Sequence, residues 1–368
     1  MNNIISKVDR TILFSFIGLV FIGLFLIADI STYSPSLNKF IKQIIWIVIS
    51  IPITYFFIEK VDFLKIRKIS FFLVVIVCLM LLYVLIFGSV IKGAKRYINL
   101  GFMSFQPSLL ARIVLILYFA HIMDKKREII NRMDSIGVFV NLLPLFIFCT
   151  LIFSLIFAGR HLSILVIISL TLFIMIFAAR IPLKIMFTIL IIIFFTSTIA
   201  IIFGPKYRVS RIEVYKKYNL FTMKDVKVSK DEERQVRQSL IALASGKYFG
   251  GKGRAKDRNM PEPDTDYIFS IIGEQWGFFG SAGVFLLYIL LYIKGLVISV
   301  RQKSFYLKLL GIGITHNIFY NVLVHIGVCM SLLPATGVTL PFISYGGSSM
   351  LINSISIGFL LNISKNSQ

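Results

Sequence analysis

The sequence is short of charge, and above all of acid. Of its 368 residues only 17 are Asp or Glu, against 39 Lys and Arg, and charged residues together make up 15%. Hydrophobic residues make up 57%. Apolar runs of about twenty residues recur from end to end, the length that crosses a hydrocarbon core about 30 Å thick. A soluble fold would need a large core of helices apolar on every side, and so little charge excludes it. Cysteine is scarce too. Cys78, Cys149 and Cys329 all fall inside apolar runs, with no spacing that suggests zinc or a disulfide framework, so they read as packing residues. No small-x-small cleavage site follows the basic start and first apolar run, which therefore reads as a retained helix rather than a signal peptide. There is no internal repeat. "GKYFGGKG" (246–253) nearly matches a phosphate-binding loop, but it lacks a Ser or Thr after Lys252 and has no preceding buried strand. That excludes a nucleotide site.

What is present is a polytopic, all-α membrane chain. Ten spans are predicted, at about 11–30, 40–57, 69–91, 105–122, 137–158, 161–179, 182–204, 269–293, 305–332 and 341–363. They form one integral membrane domain over 1–368. If the N-terminus is cytoplasmic, the short loops on that side carry 17 basic residues and the short outer loops carry 5, namely Lys39, Lys92, Lys95, Arg96 and Arg160. The positive-inside rule then places both termini in the cytoplasm. Residues 205–268 form one long outer loop with 15 basic and 9 acidic side chains. A loop of that length escapes the rule and is usually functional. Within it "EERQVRQSLIALASG" reads as an amphipathic helix, with Val236, Leu240 and Leu243 on one face and Gly246 at its end, lying along the membrane surface.

Several features can carry chemistry. "MPEPDTDYIFSIIGEQWG" (260–277) sets Glu262, Asp264 and Asp266 at alternate positions between prolines. In an extended segment, residues two apart point the same way, so the three can converge as a general base or as oxygen ligands for a divalent cation. Alternatively Asp264, Thr265 or Asp266 caps the next helix. "KGAKRYINLGFMSFQPS" (92–108) brings Lys92, Lys95 and Arg96 to the side poor in positive charge. They suit a phosphate group or membrane-lipid headgroups. Arg208 and Arg211 stand at helical spacing beyond the seventh span, where a solvated face is the plainer reading. Arg112 and Glu274 are ionisable residues within spans, which face the protein interior and either pair or line a headgroup cavity. His161 and His325 read as satisfied polar core residues. Gly273, Gly277 and Gly280 suit close helix packing, and "LPFISYGGSS" (340–349) either lines a cavity or lets helices approach.

Four stretches in order, "GAKRYINLGFMSFQPS", "YRVSRI", "RQSLIALASGKYFG" running on to "MPEPDTDYIFSIIGEQWGFFG", and "LLPATGVTLPFISYGGSS", together resemble the SEDS (shape, elongation, division and sporulation) proteins, the FtsW/RodA/SpoVE group. The resemblance covers essentially the whole chain and leans toward the division and sporulation branch. It implies a peptidoglycan glycosyltransferase in the bacterial cytoplasmic membrane that polymerises lipid II at the outer face. Asp266, immediately before the aromatic-Ile-Phe run, falls at the family's catalytic position. The same resemblance makes Arg96, Lys95, Arg208, Arg211 and Arg112 candidate contacts for the diphosphate. Gln238, Ser239, Glu262, Asp264, Ser344 and Ser348, in the matching stretches, become further substrate-binding candidates. Asp266 and Asp264 are the candidate ligands of a divalent cation, Mg or Mn.

The chain also departs from the family pattern. Asp264 stands where His is usual, Tyr97 where Trp is usual, "GEQWG" where "GEELG" is usual, and Arg160 replaces a proline in "GRHLS". Leu109 replaces the glutamate expected to partner a lysine at the place of Arg112. The implied partners are a class B penicillin-binding transpeptidase and other division or elongation proteins, with no nucleic acid. Gly277 and Gly280 lie on a surface where such a partner can dock. Two rival readings are a transporter of lipid-linked precursor, which needs charge deep in the spans, and a non-catalytic scaffold for a transpeptidase.

Overall fold

The computed structural model describes residues 8–33, 37–91, 94–99, 101, 104–132, 135–181, 206–219, 230–251 and 262–365. In chain order these form α1 (Arg10–Tyr33), α2 (Leu37–Glu59), α3 (Phe63–Phe87), β1 (Ser89–Ile91), β2 (Ala94–Asn99), β3 (Ser104–Phe105), α4 (Pro107–Lys125), α5 (Arg127–Arg132), α6 (Ser135–Ala158), α7 (Leu162–Ala178), α8 (Lys206–Tyr218), α9 (Lys230–Ser245), α10 (Ile268–Val300), α11 (Phe305–Cys329) and α12 (Gly347–Lys365). Eight of them are long and apolar enough to cross a membrane, and α7 is a shorter apolar helix. The predicted span 182–204 lies outside the described residues. The other nine predicted spans are helices.

Their ends differ from the prediction for local reasons. Helix α3 starts early because Asp62 caps it, its carboxylate accepting from the Leu64 amide at 2.8 Å. It stops at Phe87, where the chain turns into β1, so predicted span 3 runs too far. The strands β1, β2 and β3 make a small antiparallel sheet, the one departure from an all-α chain among the described residues. Predicted span 10 starts too soon, since residues 341–345 form turns and bends before α12. Helix α10 runs on through Lys294 to Val300.

Helices α4, α11 and α12 are mostly buried, whereas α1, α2, α3, α6 and α10 keep exposed large apolar side chains such as Phe14, Phe21, Phe72 and Leu79. The central helices can therefore carry polar groups, provided these bond within the bundle. Along the α2–α12 seam, Thr54 Oγ1 donates to the Ser50 carbonyl at 2.8 Å and lies 3.3 Å from that of Ser354. Asn362 donates to the Phe57 and Val61 carbonyls. The Ser364 hydroxyl accepts from the Asp9 amide at 3.1 Å, which puts the start of α1 and the end of α12 on the same end of the bundle.

Gly277 of α10 does different work from the helix packing expected of it. At Gly277 the backbone turns to φ 65°, ψ −162°, and the helix breaks. A break leaves orphan amides and carbonyls, which apolar surroundings penalise. The segment after α9 meets them: Phe278 N–H donates to the Lys247 carbonyl at 2.9 Å, Phe279 N–H to that of Tyr248 at 3.1 Å, and Gly251 N–H to that of Glu274 at 2.8 Å. The stretch that imitates a phosphate loop is thus a backbone clamp on a broken helix. Gly277 is covered by it and is unavailable as the docking surface expected there, while Gly273 faces Leu243 and Gly246 and Gly280 faces Trp276.

This predicts an asymmetry between two glycines of α10. A methyl at Gly277 would fall on the backbone of Tyr248 and Gly250 in a conformation only glycine tolerates, so Gly277→Ala should cost about 1–3 kcal/mol or more. Gly283 has nothing within 4 Å, and Gly283→Ala should leave the thermal midpoint in detergent unchanged or raise it slightly.

Candidate functional site

The acid-bearing segment is not extended. Residues 262–267 form a bend and a run of turns, with Glu262 at φ 56°, so the alternation that would have converged three carboxylates is broken. Nor do the acids cap α10. Its N-cap is Tyr267, with no side-chain cap bond.

Each acid meets a different environment. Asp264 is 2% exposed, and its Oδ2 lies 2.7 Å from Lys39 Nζ at the start of α2. Glu262 is half-buried, its carbonyl accepting the Thr265 amide at 3.3 Å. Asp266 is half-buried and faces residues 335–340. Its Oδ2 lies 3.4 Å from where a Cβ would stand on Gly337, which has φ 70°. That positive φ, rather than the distance, is what favours glycine at the position. The Asp266 charge is felt at Tyr97 on β2 and at His325 on α11. Burial raises the Tyr97 phenol above its usual range; the Arg96 charge opposes the shift and Asp266 reinforces it.

The segment over Asp266 is held by its carbonyls. Arg211 Nη1 donates to Ala335 at 3.0 Å, Ser163 Oγ to Thr336 at 2.8 Å, and His325 Nδ1 to Val338 at 2.7 Å. Helices α8, α7 and α11 thus converge on four consecutive residues. Ser344 joins this segment to the acid turn: its Oγ accepts the Leu340 amide at 2.8 Å and donates to the Thr265 carbonyl at 2.7 Å. The Tyr345 amide donates to the Asp264 carbonyl at 2.8 Å.

The basic candidates divide. Arg96 Nη2 donates to the Arg160 carbonyl at 2.6 Å, steadying a turn in which Arg160 itself has φ 61°. Lys95 Nζ lies 3.2 Å from the Leu85 and Ile86 carbonyls, so it complements the end of α3. Arg211 reaches the Asp266 cover. The Arg208 side chain lies outside the described residues. Arg112 is 2% exposed, and its Nε and Nη1 have no hydrogen-bond partner; it forms no ion pair with Glu274. Both Arg96 and Arg112 bear electrostatically on His161, whose Nδ1 accepts from Gln106 Nε2 at 2.9 Å and Ser108 Oγ at 3.1 Å. Lys95, Arg96, Ser108 and His161 line a small cavity there.

Three further serine and glutamine candidates lie on α9 and α12. Ser239 is fully buried between α9, α10 and α11, bonded to Ser270 Oγ and the Cys329 carbonyl. Ser348 holds the end of the sheet, donating to the Ser104 carbonyl and accepting the Gln106 amide. Gln238 is half-buried beside Ser239 on α9. The metal reading also loses a ligand, since Asp264 is committed to Lys39. Among the described residues no group of three or more His, Cys, Asp or Glu side chains is placed to hold a metal ion. The described protein donors do not by themselves make such a centre.

Sequence reasoning passed over Lys39, Ser163 and Gly337. Lys39 gave a signal, being one of five cations in the short loops otherwise poor in them.

Over residues 8–368 the sequence matches the model of the cell cycle protein family FtsW/RodA/SpoVE. The chain belongs to that family. It is 31% identical over 326 residues to the stage V sporulation protein E of Bacillus subtilis, covering 86% of this chain and 84% of that one. It is 31% identical over 289 residues to a probable peptidoglycan glycosyltransferase FtsW of Geobacter sp., covering 78% and 75%. The fold matches a chain in a solved peptidoglycan synthase complex that coordinates polymerisation and crosslinking, with TM-score 0.81, 21% identity and 98% of each chain covered. It also matches the crystal structure of the Thermus thermophilus rod shape determining protein RodA, with TM-score 0.69, 20% identity and 97% and 96% covered. With its apolar helices, the family member is a multi-pass membrane protein.

Ser344 is the joint that can be tested without an activity. Ser344→Ala removes both of its bonds, each worth about 0.5–1.5 kcal/mol, and leaves the buried Leu340 amide unpaired. Amide hydrogen exchange should rise in peptides spanning 336–345 and stay unchanged in α1.

Proposed function

We infer that the chain is a peptidoglycan glycosyltransferase that polymerises lipid II, with Asp266 as its general base. The observation that carries this is the setting of Asp266: a half-buried carboxylate in a turn at the start of α10, with its Oδ2 facing Gly337 at a backbone position that favours glycine. Guanidinium groups of Arg96 and Arg211 are anchored on the surrounding backbone. The names of the curated relatives support the same reading.

Chemically, Asp266 takes the proton from the acceptor sugar's 4-hydroxyl as that oxygen attacks the anomeric carbon of the lipid-linked donor. The new glycosidic bond forms with inversion. The bond from the anomeric carbon to the diphosphate breaks, and polyprenyl diphosphate leaves with the electron pair. Its charge calls for preorganised cations, supplied by Arg96 and Arg211 near Asp266 and by the buried Arg112 guanidinium, which has hydrogen-bond donors to spare.

The positive-inside count supports an orientation with both termini cytoplasmic and Asp266 at the outer face, where lipid II is polymerised. It is consistent with the start of α1 meeting the end of α12. A class B penicillin-binding transpeptidase is the proposed partner. The fold match to a synthase complex supports it, and beyond the Gly277 break α10 keeps Phe278, Phe279, Leu286 and Ile293 exposed for an apolar partner helix or lipid.

Asp266→Ala and Asp266→Asn should lower the rate of lipid II polymerisation by purified protein about 10²- to 10⁴-fold, with the thermal midpoint in detergent kept. Polymerisation at the normal rate by either variant overturns the assignment of the base. Glycan growth without net movement of lipid II between leaflets separates this reading from the transporter.

A further inference from the structure

We propose that Lys39 is a positioning residue for Asp266, acting through Asp264. The proposal rests on the reading of Asp266 as the base, and its test is arranged so that the two fail separately.

The ion pair has an unusual asymmetry. Lys39 Nζ and Asp264 Oδ2 are 2.7 Å apart, but the lysine side chain is 42% exposed and the aspartate side chain 3%. The lysine stays hydrated with or without its partner. The carboxylate does not: removing the cation strands a buried charge, the costly way to break such a pair. Asp264 lies two residues before Asp266, in the same run of turns. Its carbonyl accepts the Tyr345 amide, and the next carbonyl, of Thr265, accepts the Ser344 hydroxyl. Lys39 also stands 5.9 Å from the centre of the Tyr345 ring. Side chain and backbone of Asp264 are therefore held from two helices, α2 through Lys39 and the lead into α12 through Tyr345. A buried carboxylate deprived of its cation must turn toward water, and it carries the Asp266 turn with it.

A second consequence follows for electrostatics. A free carboxylate at position 264 would stand beside the base with a like charge. Paired with Lys39 it forms a neutral unit, so an acid near the base is tolerated here.

The test is a double-mutant cycle on lipid II polymerisation by the full-length purified protein, reading kcat and KM for lipid II and the thermal midpoint. Lys39→Met should lower kcat at least ~10-fold with KM within about twofold, because it leaves Asp264 buried and unpaired. Asp264→Asn leaves only a hydrated lysine, and its loss should stay within about threefold. The double variant Lys39→Met/Asp264→Asn should recover to the level of Asp264→Asn alone, a coupling that independent sites do not give. Lys39→Arg keeps the charge and should stay near wild type.

If the double variant is as slow as Lys39→Met, Lys39 acts on substrate directly and the proposal fails. It fails equally if Lys39→Met has wild-type kcat, or if its loss tracks a collapsed thermal midpoint that Lys39→Arg shares. Asp266→Ala measured alongside reports on the base alone. Activity in that variant removes the base assignment, whereas the Lys39–Asp264 coupling is still read from the cycle.

Discussion

Backbone polar groups that leave a helix at a membrane boundary must find partners within the protein, and this site is arranged around that requirement. Within an apolar span the helix satisfies its own amides and carbonyls, but every turn, break and end exposes some of them. Here the turns of one bundle end are crowded together, and each brings donors for another's carbonyls. The segment 335–340 is fixed this way from three helices, and the break at Gly277 is closed by the loop after α9. The outcome is irregular backbone that is nonetheless held, which a base on a turn requires if its carboxylate is to stay aimed.

The same requirement explains part of the basic surplus. Lys95 reaches the last carbonyls of α3, Lys365 the Ile58 carbonyl near the end of α2, Arg96 the Arg160 carbonyl and Arg211 the Ala335 carbonyl. A cation at a helix C-terminus meets both the unpaired carbonyl and the negative end of the helix dipole. A basic side chain in this chain is thus first a backbone donor. Only what remains of its donors and its charge faces a ligand, which is why candidates picked for charge alone divide into structural and site residues. Lys95 reaches two carbonyls of α3, and Arg96 and Arg211 each reach the carbonyl of another segment.

How far the sequence discloses this depends on which interactions are local. Apolar length is local, and the apolar helices could be read with ends off by a few residues where a cap such as Asp62 or the stop before β1 intervened, whereas the polar helices α5 and α8 were not assigned. The position proposed for the base was singled out by the run of matching stretches. What was not legible is long-range: alternate acids look convergent only if the strand is assumed, and nothing nearby in sequence announces that Asp264 belongs to Lys39, 225 positions away. Likewise Gly273 and Gly277 looked like helix-packing residues because small residues serve both purposes. The positive φ that separates the two is set by residues 246–251, which the sequence places beyond a whole stretch of loop.

The departures from the family pattern make sense on the same physical footing. Where a carboxylate replaces the usual histidine at position 264, a lysine stands opposite it, and the charge added beside the base is cancelled locally. At the other departure no such cancellation exists. Leu109 stands at the place expected of a glutamate, and among the described residues no carboxylate is paired with the buried Arg112, whose neighbours in charge are Arg96 and the imidazole of His161. A buried guanidinium without a counter-ion is costly by itself, and its charge bears on His161, which lines a cavity together with Arg96. Beside the proposed base the acid is neutralised, whereas the buried Arg112 has no carboxylate partner among the described residues. That is a charge distribution suited to a reaction in which the protein must accept one proton and steady a departing diphosphate.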